Sequence, residues 1–142
     1  MSVQHILAEK GGDVVTIAPD RTLAEAAHLL AERRIGAVIV SEGSRAVAGI
    51  LSERDIVRAL ARGGAAALDH PVSRHMTAEV VTCTPDIVIV EVMELMTRGK
   101  FRHVPVVQGG RLIGIVSIGD IVKRRLAEVE TEQQALREYI TS

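Results

Sequence analysis

Aromatic side chains are nearly missing from this chain. Phe101 and Tyr139 are the only two in 142 residues, and there is no tryptophan. A protein that grips single-stranded nucleic acid by stacking bases on rings has no platform here. Charge of one sign is also lacking: 17 basic residues face 18 acidic ones, for a net charge of −1. Binding driven by phosphate neutralisation needs a basic excess, so no nucleic-acid partner is expected. Cys83 is the single cysteine, which excludes a disulfide framework within the chain and fits a reducing, cytoplasmic compartment. It lies in an apolar run (VVTC) and reads as a small buried strand residue rather than a nucleophile. No apolar run approaches the roughly 20 residues that span a bilayer. The opening MSVQHILAEKGG has neither a basic nor an apolar signal region, so no membrane partner is expected.

What the chain does have is a repeat. GILSERDIV runs from Gly49 to Val57, and GIVSIGDIV from Gly114 to Val122. Val14-Val15-Thr16 returns as Val80-Val81-Thr82, Pro19-Asp20 as Pro85-Asp86, and Glu25 as Glu91, at an offset of about 66 residues. The offset drops by one after a turn, so that Gly49, Ser52 and Asp55 match Gly114, Ser117 and Asp120. Two copies are too few for a solenoid and suit a pseudo-symmetric pair.

Each copy reads as strand, helix, strand, strand, helix. Val14–Ile17 and Val80–Cys83 are short β-branched runs. Thr22 and Glu25 form a capping box; Val88 replaces the threonine in the second copy, where Asp86 is expected to cap instead. Leu23, Ala26, Ala27 and Leu30, and then Ile89, Val92, Met93 and Met96, mark one apolar helix face each. SEGSRA and QGGR are turn chemistry, so a hairpin follows in both copies. A crossover helix makes the first two strands parallel and the turn makes the last two antiparallel. The expected fold is mixed α/β (α+β). Each copy is a three-stranded mixed sheet with two helices, and the copies pack sheet face to sheet face. The expected boundaries are 1–63 for the first repeat, 64–74 for a Gly/Ala-rich linker, 75–127 for the second repeat and 128–142 for a helical extension. Val122, Leu126, Val129, Gln133, Leu136 and Ile140 fall at alternating steps of four and three. That spacing fits a helix lying on its own domain or an intersubunit seam. His70 and His75 lie in the linker without a carboxylate or thiolate neighbour, which makes a poor metal site.

Ser-x-x-Asp after an apolar strand is a capping box. It is also a helix N-terminus bearing a hydroxyl and a carboxylate, a place suited to a sugar phosphate. The stretches VVTIAPDRTLAEAAHLLAERRIGAVIV and VVTCTPDIVIVEVMELMTRGKFRHVPVV, with the two Gly-x-x-Ser-x-x-Asp endings, resemble the tandem CBS-domain (Bateman) module over residues 1–127. The resemblance implies a stand-alone CBS pair that binds adenosine-containing ligands in two clefts between the copies. In the first cleft it implies Ser52, Arg54 and Asp55 with Thr82, Phe101, Arg102 and His103. There Asp55 would hold the ribose, Ser52 the phosphate side, and Arg102 with His103 the phosphate charge. In the second it implies Ser117 and Asp120 with Thr16, Ile35, Gly36 and Ala37. Gly36-Ala37 stands where the twin has Arg102-His103, and Gly119 where it has Arg54, so the second cleft is expected to be less positive.

The function this implies is a non-catalytic regulatory module. It would bind an adenine nucleotide, AMP first and ADP, ATP or NAD next, and signal occupancy to an unidentified protein target. A homodimer through the CBS helices is implied, and no metal is needed for the fold. The alternative is an interaction scaffold without ligand sensing. A hydrolase built on Ser117, His103 and Asp120 is disfavoured, because no nucleophile elbow is present.

Overall fold

The computed structural model describes residues 1–11, 13–43 and 46–141, and the Ser44-Arg45 part of the expected first turn lies outside them. The chain divides into two compact units, one of Asp13–Val81 with Gly109–Leu112, the other of Met1–Gly12, Thr82–Gln108 and Ile113–Ser142.

The first-copy unit is built from β1 (Thr16–Ile17), α2 (Leu23–Arg33), β2 (Ala37–Val40), β3 (Gly49–Ser52), α3 (Glu53–Gly63) and α4 (Val72–His75). Its sheet has the order β1-β2-β3. β1 runs parallel to β2, with Thr16 beside Ile39, and β2 runs antiparallel to β3, with Ala37 opposite Ser52 and Val40 opposite Gly49. This is the mixed sheet expected from the crossover and the turn. Thr22 caps α2 by accepting the Glu25 N–H on its hydroxyl at 3.2 Å. The apolar face of α2 (Leu23, Ala26, Leu30) meets Val38, Val40 and Leu51 of the sheet and Ile56 and Ala59 of α3 in one core. The linker belongs to that core. Gly64–Asp69 winds into a 3₁₀ helix, and Ala67 and Val72 are fully buried. The Val72 N–H donates to the Arg21 carbonyl at 2.7 Å.

The second-copy unit contains α1 (Val3–Lys10), α5 (Ile89–Gly99), β4 (His103–Gln108), β5 (Arg111–Ser117) and α6 (Ile118–Thr141). β4 and β5 pair as a hairpin, and both turn glycines, Gly109 and Gly110, have positive φ (59° and 77°). That backbone matches the twist of the strands and favours glycine at both places. The third strand expected over Val80–Cys83 is reduced to a single parallel bridge between Cys83 and Val106. Cys83 donates to the Pro105 carbonyl at 3.0 Å and accepts from the Val107 N–H at 2.8 Å. The next rung would need an N–H on residue 105, and proline has none. The first copy has Ile39 there, and its ladder forms.

Asp86 does not cap α5 as expected. It accepts a hydrogen bond from the Thr84 hydroxyl instead, and the N-cap Val88 offers no side-chain oxygen. The chain start docks here as the linker does in the first copy: the Met1 carbonyl accepts the Ile89 N–H at 3.1 Å and the Val3 N–H donates to the Ile87 carbonyl at 3.0 Å, just as the His70 carbonyl accepts the Leu23 N–H at 3.0 Å. α1 then lays Val3 and Ile6 into the core of Val92, Met96, Val104, Val116 and Ile121. Residues 1–12, expected with the first repeat, thus pack with the second copy.

The glycine that opens each Gly-x-x-Ser-x-x-Asp motif is there for close approach. A Cβ on Gly49 would stand 2.9 Å from the Thr77 carbonyl oxygen and 2.5 Å from the Met76 sulfur. Main chain cannot yield there, because Ile50 and Thr77 exchange N–H···O bonds of 3.0 and 2.9 Å. A Cβ on Gly114 would meet only the tip of Leu7, at 2.5 Å, and a flexible side chain can turn away. Gly49→Ala is therefore expected to destabilise the chain by about 1–3 kcal/mol, and Gly114→Ala by less than about 1 kcal/mol. Urea unfolding midpoints at unchanged slope check the order; equal losses would show that the contact with Thr77 is not what fixes Gly49.

Candidate functional site

The same construction appears in both copies. A strand ends on serine, a helix starts on the next residue, and the helix's first N–H reaches back to the start of the neighbouring strand. The Glu53 N–H donates to the Gly36 carbonyl at 3.0 Å, and the Ile118 N–H to the Arg102 carbonyl at 2.7 Å. Each Ser-x-x-Asp motif is thereby fixed beside the segment that opens the middle strand of its own copy. These are Ile35-Gly36-Ala37 in one and Phe101-Arg102-His103 in the other. The two αL residues that end α2 and α5, Arg34 (φ 55°) and Lys100 (φ 58°), turn the chain into those segments.

In the first copy Ser52 and Asp55 cap each other. Asp55 Oδ2 accepts the Ser52 N–H at 2.8 Å and the Ser52 hydroxyl at 3.1 Å, and Ser52 Oγ accepts the Asp55 N–H at 3.4 Å. Both side chains are partly buried, and no cation forms a salt bridge to Asp55 among the described residues. The carboxylate is held through one oxygen at the positive end of α3, where an anion is favoured.

The second copy repeats the cap and adds a counterion. Asp120 Oδ2 accepts the Ser117 N–H at 2.9 Å, and Ser117 Oγ accepts the Asp120 N–H at 3.2 Å. Lys10, from α1, donates to the same Asp120 oxygen at 2.8 Å and to the Ile115 carbonyl at 3.1 Å. Partial burial pushes the Asp120 carboxyl up, but the Lys10 ammonium with the Ser117 N–H and hydroxyl outweighs it and holds the pKa below the usual carboxylate value. A cavity of about 330 Å³ opens here, and Lys10, Lys123 and Arg124 line it with Glu9 and Asp120. The repeat does not announce Lys10, because the counterpart of α1 in the first copy, α4, is only four residues long and ends before that position. The second motif is thus not the poorly charged one that the Gly36-Ala37 and Gly119 exchanges suggested.

The other expected site residues divide by burial. Thr16, Thr82, Arg54 and Arg102 are exposed, His103 is partly buried at the start of β4, and Ala37 is buried in β2. Phe101 packs its ring over Gly99 against the core of its unit, and Ile35 packs against the first-copy core. Within their units, Ile35-Gly36-Ala37 sits by Ser52 and Asp55, and Phe101-Arg102-His103 by Ser117 and Asp120. The sequence resemblance had paired them the other way.

Two linker residues come together that the sequence left apart. His70 Nδ1 and His75 Nε2 lie 2.9 Å from each other, with the rings stacked at 5.2 Å. Burial lowers the His75 pKa, and His70, Arg74 and Arg62 act in the same sense against Asp55. No group of three or more His, Cys, Asp or Glu suited to a metal occurs among the described residues. Cys83 is buried as expected, and burial with the charge of Asp86 pushes its thiol up to about 11. Among the described residues no helix is long and apolar enough to cross a membrane.

The depressed Asp120 pKa has a consequence for acid stability. A carboxylate favoured in the folded state contributes stability above its unfolded pKa of about 3.9, and that contribution disappears as pH falls through the lower folded value. Lys10 is two-fifths exposed (41% for its side chain), so the contribution is at most about 1 kcal/mol. In Lys10→Met the Asp120 titration midpoint is expected to move up and the acid unfolding transition to begin at higher pH. NMR of the carboxyl carbons reads the midpoint; an unmoved one would place Lys10 away from Asp120 in solution.

The CBS-domain family profile matches this chain twice, over residues 6–62 and 72–127. A CBS-domain-containing protein of Agrobacterium tumefaciens has a crystal structure that is 50% identical. The match covers 88% of this chain and 99% of that one, with a TM-score of 0.86. The mitochondrial CBS-domain-containing protein CBSX3 of Arabidopsis thaliana is 33% identical over 98% of this chain and 71% of its own length. The CBS-domain pair of the protein MJ0100, solved in complex with 5′-methylthioadenosine and S-adenosyl-L-methionine, is 26% identical. It covers 90% of this chain and 98% of its own, with a TM-score of 0.80. Two matched copies, each ending in the same capped serine and aspartate, make this chain a member of the CBS-domain family, with the pair of CBS domains in tandem.

Proposed function

We propose that this CBS pair is a regulatory module that binds an adenosine-containing ligand and reports its occupancy to a protein target. The observation that carries this reading is the Ser52–Asp55 cap. It fixes a carboxylate through one oxygen at a helix N-terminus, with no salt bridge to it among the described residues. A ribose offers two adjacent hydroxyls, both of which a carboxylate can accept. The neighbouring hydroxyl and helix-start N–H groups suit a phosphate. The ligands of MJ0100 share the adenosine group with AMP, ADP, ATP and NAD. The exposed Arg54 and Arg102 favour these phosphate-bearing ligands over the phosphate-free ones of MJ0100, and AMP is the first choice.

The reading is non-catalytic. Ser117 and Asp120 bond to each other's main chain as a cap, which is not the geometry of a nucleophile and its base. The module is proposed to work in the cytoplasm as a homodimer paired through its CBS helices. The two motifs are proposed to be unequal. Lys10 pairs with Asp120, so a diol there competes with an ammonium, while no salt bridge holds Asp55 among the described residues.

Thermal unfolding against AMP, ADP, ATP, NAD and S-adenosylmethionine tests this, on wild type, Asp55→Ala and Asp120→Ala. Ligand at about 100 times its dissociation constant adds roughly 2.7 kcal/mol, a visible rise in midpoint. The rise is expected to vanish in Asp55→Ala and largely to survive in Asp120→Ala. No rise with any ligand in a folded wild type would leave the two motifs as helix caps and favour an interaction scaffold instead.

A further inference from the structure

α6 outlasts the unit in which it starts. Its first turns are anchored: Ile121 is buried, Arg124 donates to Glu9 at 2.6 Å, and the chain's N-terminal ammonium lies 3.3 Å from Glu128. Residues 130–141 are all exposed. Along the helix Leu126 and Leu136 are each 59% exposed and Ile140 is 72% exposed. With Val122, Val129 and Gln133 they form a heptad row, and that row sits about 125° around the helix from the anchored face of Ile121, Arg124 and Glu128. The anchored face therefore leaves the row uncovered.

The charges beside the row choose its occupant. With Leu126, Gln133 and Ile140 at a and Val122, Val129 and Leu136 at d, the g positions include Arg125 and Glu132, and the e positions are Lys123, Glu130 and Arg137. In a parallel, in-register pair of identical helices each g residue meets the e residue five positions on. Arg125 then faces Glu130, and Glu132 faces Arg137, twice each by symmetry. An antiparallel pair instead sets Lys123 against Arg137, Glu130 against Glu130 and Glu132 against Glu132, all repulsive. Gln133 points the same way, because a polar a residue is best satisfied by its own copy in register. Arg125 lies 3.1 Å from Glu128 and 3.9 Å from Glu132 in its own helix, and a guanidinium has further N–H donors for a carboxylate across the seam.

We propose that residues 122–140 of α6 pair with the same residues of a second copy of this chain as a parallel, in-register two-stranded coil. The row is short, roughly 28 Å at 1.5 Å per residue, and a free helix of this length is marginal. Here the packed first turns already supply the nucleus. The proposal does not depend on the ligand reading.

Cysteine cross-linking and sedimentation of the full chain test it, with circular dichroism checking the fold of each variant. In a parallel in-register coil residue 136 faces its own copy, so Leu136→Cys is expected to form a disulfide dimer on mild oxidation. Thr131→Cys, on the opposite side of the helix, is expected to form no disulfide under the same conditions. Cys83 is buried and does not interfere. Arg137→Glu is expected to weaken the dimer roughly tenfold, and adding Glu132→Arg to restore it. Three outcomes overturn the proposal. The wild-type chain could be monomeric, which would leave the row to another protein's helix. The charge exchanges could leave the dissociation constant unchanged. Or Leu136→Cys could cross-link only when mixed with Leu126→Cys, the signature of an antiparallel pair.

Discussion

One main-chain hydrogen bond organises each copy. The first N–H of the second helix, on Glu53 or Ile118, reaches the carbonyl that opens the middle strand, on Gly36 or Arg102. A helix start has unsatisfied donors by construction, and the strand start has a carbonyl outside its ladder. Joining them fixes the angle between helix and sheet. The Ser-x-x-Asp cap completes the junction by taking two more donors. The carboxylate that could hold a ribose is therefore also part of what holds the fold. That explains why Ser and Asp recur together while the two residues between them change freely: the former complete the junction, and the latter only have to suit a helix start, with Gly recurring at the other end of the strand where a neighbour comes close.

This dual role limits what substitutions can reveal. Removing Asp55 or Asp120 deletes an acceptor for a main-chain N–H as well as a candidate ligand group, at a cost of about 1 kcal/mol from the cap alone. Loss of binding in one variant gains meaning from its twin. Both variants lose the same cap chemistry, so a difference between them belongs to the surroundings of the two carboxylates and not to capping.

Much of the fold was legible in the sequence because it was written twice. The constant offset exposed the repeat, the β-branched runs and helix periodicity gave the order of elements, and the turn residues gave the hairpin. Thr22, Ser52 and Ser117 could be read as caps from local spacing alone. The misses share one cause: they depend on residues far away in sequence. The Val80–Cys83 strand has ample β propensity but lacks a partner donor at Pro105. Val88 is a poor N-cap, nearby Asp86 bonds to Thr84 instead, and the Ile89 N–H goes to the distant Met1 carbonyl. The cross-copy grouping of the site residues came from the resemblance. The main-chain bonds add a same-copy neighbourhood that spacing could not reveal.

Lys10 shows how a duplicated motif becomes two different sites without changing its own residues. Ser117 and Asp120 reproduce Ser52 and Asp55 in sequence and in hydrogen bonding. What differs is the length of the helix that docks at each copy: α4 has four residues, whereas α1 has eight and carries Lys10 to Asp120. The docking bonds themselves are the same in both copies, with the His70 carbonyl on the Leu23 N–H in one and the Met1 carbonyl on the Ile89 N–H in the other, so it is the longer helix that places an ammonium on Asp120, while no salt bridge reaches Asp55 among the described residues. A ligand that needs a free carboxylate meets unequal hosts. The inequality comes from the extra turn by which α1 outruns its counterpart α4.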